Sequence, residues 1–158
     1  MRVAAPKLHF LNGKTVDAVR SGRAIALDFQ FSIMAGTLVL KRALERFVIS
    51  YDLWEEKYAV TRLGVRKAQS NLTQEKAEAW CLENLSVATD GVSADRLVTV
   101  NLEIREHRPE AIATILTEPG ISLYGLIEIF SRPARSEQLK WRLQSGPIRL
   151  HDVRNNGS

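Results

Sequence analysis

The residues whose types could support metal or acid–base chemistry are few: His9, His107 and His151, the single thiol Cys81, and the carboxylates Glu55, Glu56 and Glu103. The histidines lie far apart. None has a second histidine at i+4 or a CxxC neighbour, the spacings that aim two donors at one metal ion. They read as surface or strand-end histidines, and no metal site is expected. Cys81 follows Trp80 on the apolar side of a helical pattern, where burial raises a thiol's pKa and keeps it inert. The sequence has no GxSxG elbow to expose a nucleophilic serine, and no GxxxxGK[ST] or GxGxxG loop to cradle phosphate. Glu55 and Glu56 fall in a turn, and Glu103 on the outward side of a strand pattern. Nothing selects two of them as a glycosidase-like pair. The expectation is a non-enzymatic binding domain with no catalytic residue and no cofactor.

Two further groups bear on binding. Lys41, Arg42 and Arg46, then Arg62, Arg66 and Lys67, could build a positive patch on neighbouring strands. Tyr51, Trp54 and Tyr58 would add a stacking platform for single-stranded nucleic acid. A solvated face whose cations also guard strand edges accounts for the same residues, and no RNP-type motif supports nucleic acid. Trp80 and Trp141 sit on apolar faces and belong to the core. Trp54, in the turn LWEEK, does not, and is the candidate interface anchor.

Strands must position these residues. Arg23–Met34 alternates: Ile25, Leu27, Phe29, Phe31 and Ile33 share one face, and Ala24, Ala26, Asp28, Gln30 and Ser32 the other. Ala35-Gly36 is a turn. Thr37–Leu53 continues as a long strand, although a helix over Thr37–Phe47 fits the same apolar spacing. Its parity shifts from Leu38, Leu40 and Leu44 to Phe47, Ile49 and Tyr51, which predicts a bulge or bend within Ala43–Arg46. Phe47–Arg62 reads as an antiparallel hairpin with one buried face and a turn over Asp52–Lys57. Leu97–Arg105 alternates again, with Val98, Val100, Leu102 and Ile104 inward and Thr99, Asn101, Glu103 and Arg105 outward. Pro109 ends it. A short strand over Lys7–Leu11 and a closing hairpin, Leu139–Leu143 with Ile148–Leu150 about Gln144–Pro147, complete six or seven strands.

Helices are fewer. Thr15 can N-cap a turn that holds Val16 and Val19 and stops at Gly22. Thr73 can N-cap a helix within Leu72–Leu85, with Leu72 and Ala77 as a hydrophobic staple. Its buried face carries Ala77, Trp80, Cys81, Asn84 and Leu85; Gln74, Glu75, Glu78 and Glu83 cover the rest. Asp90-Gly91 is a turn. Ser122 can cap a further helix bearing Leu123, Leu126, Ile127 and Phe130, with Pro133 beyond its end. Strand and helix do not alternate as βαβ units would. The expected class is mainly β or α+β: an antiparallel, sandwich-like sheet of six or seven strands with two or three short helices.

Length and composition agree with this class. The 158 residues fit one globular domain over 1–154, followed by a polar, disordered tail at 155–158. A domain of that size buries roughly 68–70% of its unfolded surface and needs no metal or disulfide to hold a core. One cysteine permits no intramolecular disulfide. The net charge of +4 and pI of about 9.5 are compatible with nucleic acid or an anionic surface without requiring either. No apolar run approaches the ~20 residues of a membrane span. The opening MRVAAPKLHFLNG lacks the apolar core of a signal peptide, so the setting is either cytoplasmic or exported by a signal lying upstream.

The order of segments resembles the bacterial domain-of-unknown-function family DUF4390. The matching stretches are Val16–Gly22, Ile25–Phe31, Phe47–Tyr51 with Tyr58–Val60, Leu72–Ala77, Leu97–Arg105 and Trp141–Ser145. They correspond to a leucine–glycine turn, an alternating strand, a tyrosine-bearing hairpin, a helix start, an arginine-bearing strand and a C-terminal tryptophan stretch. Pro147-Ile148 replaces the family's final aromatic stretch. The resemblance covers most of the chain and implies an envelope or exported setting, with no catalytic residue to carry over. The expected function is binding of a protein or cell-envelope component through an exposed sheet face or edge. The alternatives are a carrier of a hydrophobic or anionic small ligand, its pocket lined by Phe29, Phe31, Trp80 or Trp141, and weak nucleic-acid binding.

Overall fold

The computed structural model describes residues 8–107 and 139–155. The expected helix after Ser122, Pro109, Pro133 and nearly all of the polar tail lie outside the described residues. The elements run α1 (Gly13–Arg20), β1 (Ile25–Ala35), β2 (Leu38–Asp52), β3 (Lys57–Arg62), β4 (Lys67–Leu72), α2 (Gln74–Glu83), β5 (Leu97–His107), β6 (Lys140–Gln144), β7 (Ile148–Arg149) and α3 (Leu150–Asn155). The seven strands form one sheet in the order β4-β3-β2-β1-β5-β6, with β7 also pairing β5, and every pairing is antiparallel. The fold is mainly β with three short helices among the described residues, the expected class.

The central strand β1 builds the core. Ile25, Leu27, Phe29, Phe31 and Ile33 are buried, as are Phe47 and Ile49 on β2, Val60 on β3, and Leu102 and Ile104 on β5. Beneath them a row of edge-to-face rings crosses the molecule. Trp141 meets Phe10 at 6.5 Å, Phe10 meets Phe29 at 5.3 Å, Phe29 meets Phe47 at 4.9 Å, and Phe47 meets Trp80 at 6.1 Å. Such pairs stabilise beyond the area they bury. Phe29 and Phe31 are therefore packed core residues.

The second face of the sheet is also buried at its centre, which corrects the expectation of one buried face. Ala26, Asp28 and Ser32 on β1, Leu44, Arg46 and Val48 on β2, and Glu103 and Arg105 on β5 are all buried. The parity shift in β2 has two causes: Leu44 lies on this covered second face, while Leu40 packs against the first-face core and Leu38 pairs Ala35 because β2 carries an extra residue upstream. No bulge lies within Ala43–Arg46. The register shift falls earlier, between Ile33 and Met34 on β1, where Ile33 faces Lys41 and Met34 faces Val39.

Four local expectations change. No strand forms at Leu8–Leu11. The N–H of Leu11 donates to Glu78 Oε1 (2.7 Å), and its carbonyl accepts from Gln74 Nε2 (2.6 Å), so α2 side chains replace a ladder partner. Glu78 is accordingly buried rather than solvated. Helix α1 starts after Asn12, and Thr15 is a buried residue within it. Its C-terminus does stop at Gly22: Gly22 N donates to Val19 O and Arg23 N to Ala18 O, with Gly22 at φ +89°, the left-handed closure that favours glycine. Finally, β6 and β7 do not form a hairpin. Both pair with β5, as one edge broken at 145–147, where Ser145 both donates to Val100 O and accepts from Val100 N at 2.9 Å.

Helix α2 matches its expected cap: Thr73 Oγ1 accepts from Lys76 N at 3.4 Å. Strand β4 has no counterpart among the expected strands. Its sequence KAQSNL lacks alternation, and residues 67–71 are exposed. It forms the sheet edge among the described residues, where polar side chains are ordinary.

Candidate interaction site at the hairpin tip

Strands β2 and β3 pair from Phe47 opposite Arg62 to Asp52 opposite Lys57, as the sequence predicts. Leu53–Glu56 close the turn. Asp52 Oδ1 accepts from the backbone N–H groups of Trp54 (2.8 Å) and Glu55 (3.0 Å). The N–H groups of Glu55 and Trp54 hold the Asp52 carboxyl below its ordinary range. This side-chain bridge fixes the start of the turn, and Glu56 returns the chain at φ +52°.

The anchored turn presents Trp54 at 95% exposure, beside Leu53 at 59%. Burying an aromatic side chain removes roughly 150–250 Å² from water, a gross gain of about 4–6 kcal/mol. The tip is braced from below. Tyr51 and Tyr58 pack edge to face at 4.9 Å, and Arg20 of α1 lies 5.7 Å above the Tyr51 ring. Arg20 Nε donates to the Tyr58 hydroxyl at 3.3 Å, a bond that raises the guanidinium's pKa further.

The other candidate residues do not converge on this tip. Arg46 is buried on the second face against Asp28. Arg62 lies on the opposite face, paired with Glu45, and Lys67 donates to Asn84 Oδ1 at 2.9 Å beneath the Trp80 ring. The three histidines occupy separate places: His9 Nδ1 is 2.9 Å from Glu78, His107 Nδ1 is 2.9 Å from Asp28, and His151 Nε2 is 2.8 Å from Asp152. Among the described residues, no three His, Cys, Asp or Glu side chains are placed to hold a metal ion.

Cys81 is fully buried in α2. Burial, with the charge of Glu78 adding to it, pushes the thiol well above its ordinary pKa. The native chain is expected to leave a chromogenic disulfide reagent unreacted at neutral pH, and to titrate one thiol per chain in denaturant. Rapid native reaction would contradict this burial.

Two ionic clusters that no sequence pattern predicts lie on the second face. Asp28 takes a two-pronged contact from Arg46, Nη2 donating to Oδ2 at 3.0 Å and Nε to Oδ1. His107 Nδ1 donates to the same Oδ2. Glu103 accepts from Arg105 Nε at 2.6 Å, with Lys140 Nζ at 3.2 Å and Arg142 Nη2 at 3.4 Å. Burial pushes the Glu103 carboxyl up, but hydrogen bonds and charges from Arg105 and Lys140 outweigh it and hold the pKa low. These clusters link β1, β2, β5 and β6 across the second face. No family model, curated protein or solved structure matches the chain.

Proposed function

We infer that this chain is a non-enzymatic binding domain, and that its β2–β3 tip places Trp54 and Leu53 in an apolar pocket on a protein partner. The observation that carries this is an indole 95% exposed on a turn already anchored by Asp52. A held aromatic loses little conformational freedom on docking, which is why tryptophan dominates interface hot spots. The surrounding charges favour a protein over an anionic membrane surface: Asp52, Glu55 and Glu56 would oppose acidic headgroups. The tip reading narrows the sheet-face expectation, because the centre of the second face is buried. The DUF4390 resemblance supports a bacterial envelope setting for that partner.

The test compares tethered wild-type chain with Trp54→Ala in extracts of the native cell. Trp54→Ala is expected to change stability by no more than about 0.5 kcal/mol, and to reduce retention of a specific protein by roughly 30-fold or more. Equal retention by both chains would overturn the assignment.

A further inference from the structure

The two ends of the sheet complement one another. Strand β2 spans 15 residues, roughly 45 Å of extended chain, so the tip and the start of β2 stand well apart on one molecule. At the far end β2 begins, β1 finishes and β5 begins: Ala35 pairs Leu38, and Met34 lies between Val39 and Thr99. Leu38 (60%), Val39 (38%) and Leu97 (59%) are exposed there. Exposed Arg42, Arg96 and Arg149 surround them, Arg149 directly opposite Leu97. The nearby acids Asp95 and Asp152 flank His151, at 3.6 and 2.8 Å. At the near end Leu53 and Trp54 sit among Asp52, Glu55 and Glu56, with Lys57 and Arg20 the neighbouring cations. An apolar tip in an acidic setting thus stands at one end, and at the other Val39, Met34 and Leu97 share the second face of the sheet in a basic setting.

We propose that the partner of the tip is a second copy of this chain, which receives Trp54 and Leu53 on the second face of its Val39–Leu97 end. The inference rests on the tip reading and names its occupant. The contact is heterologous: each copy uses one surface to give and a different one to receive. Growth continues into a ring or an open chain unless a copy caps it. Opposite charge aligns the copies, and salt weakens the alignment.

Sedimentation velocity on the full chain, from about 10 μM to about 1 mM, tests this. The weight-average mass is expected to rise at least twofold over that range at low salt, and less at high salt. Trp54→Ala lacks only the tip and Leu97→Asp lacks only the receiving end, so each alone should remain monomeric. Their equimolar mixture should form a one-to-one dimer that grows no further, because one intact tip meets one intact receiving end. Arg149→Glu, exposed and outside the core, is a second receiving-end variant expected to behave as Leu97→Asp; circular dichroism checks that each variant is folded. A wild-type chain monomeric throughout overturns the inference, as does undiminished association of Trp54→Ala or a mixture that stays monomeric. If a different protein is then retained in a Trp54-dependent manner, the tip reading stands without self-association. If none is retained, both fall.

Discussion

Arg46→Ala is expected to destabilise the protein by about 3–5 kcal/mol, read as a lowered urea midpoint with an unchanged slope. Asp28 sits mid-strand on β1, fully buried, directly between Arg46 on β2 and Arg105 on β5. Removing Arg46 takes away the planar fork that meets both carboxylate oxygens and leaves an under-compensated charge in a low-dielectric place. Arg46→Lys should not restore the loss, because an ammonium cannot reproduce the paired geometry. The double variant Asp28→Ala/Arg46→Ala should lose less than the sum of the single variants, since removing both charges leaves neither stranded. A loss under about 1 kcal/mol for Arg46→Ala would mean that Asp28 is effectively solvated, as exposed ion pairs are.

Phe29→Ala is expected to cost a similar amount, about 3–5 kcal/mol. Phe29 is wholly buried and is the middle ring of the row that joins Phe10 to Phe47. Truncation removes two ring contacts and leaves a void between the N-terminal segment and β2. Phe29→Leu should recover most of the stability, costing roughly 1.5 kcal/mol or less, since much of the volume returns. Thermal unfolding of the three proteins decides the point. Near-equal midpoints for Phe29→Ala and wild type would contradict the packing described.

These two sites differ in how far the sequence revealed them. Phe29 stands in an unbroken odd-numbered alternation from Ile25 to Ile33, and period two suffices to place it in a core. Asp28 and Arg46 are 18 positions apart, and only the register of β1 against β2 sets them face to face. Alternation separates the two faces of a strand but does not reveal whether the second is covered. Alternation alone therefore puts Asp28 on the face opposite to Phe29, and Glu103 and Arg105 outward. Leu44 and Val48, apolar residues at the parity opposite to Phe47, are the signal of a covered second face, whereas the shift from Leu38, Leu40 and Leu44 to Phe47, Ile49 and Tyr51 predicts a bulge that the pairing places further upstream. Strand β4 was hidden for another reason: KAQSNL has no strand periodicity of its own and is ordered by pairing with β3. The β2–β3 tip was legible because its turn residues, the alternating flanks and the out-of-phase Trp54 are all local.

The tip carries the functional account, and a photo-crosslinking residue placed at position 54 tests it most directly. In native cells, irradiation is expected to yield one discrete protein adduct from position 54. The same residue at Lys76, exposed on the first turn of α2, should yield none. A self-adduct would identify the second copy proposed above, and an adduct with another chain would identify a different partner for the same tip. No adduct at position 54, or equal labelling at both positions, would contradict Trp54 as an interface anchor.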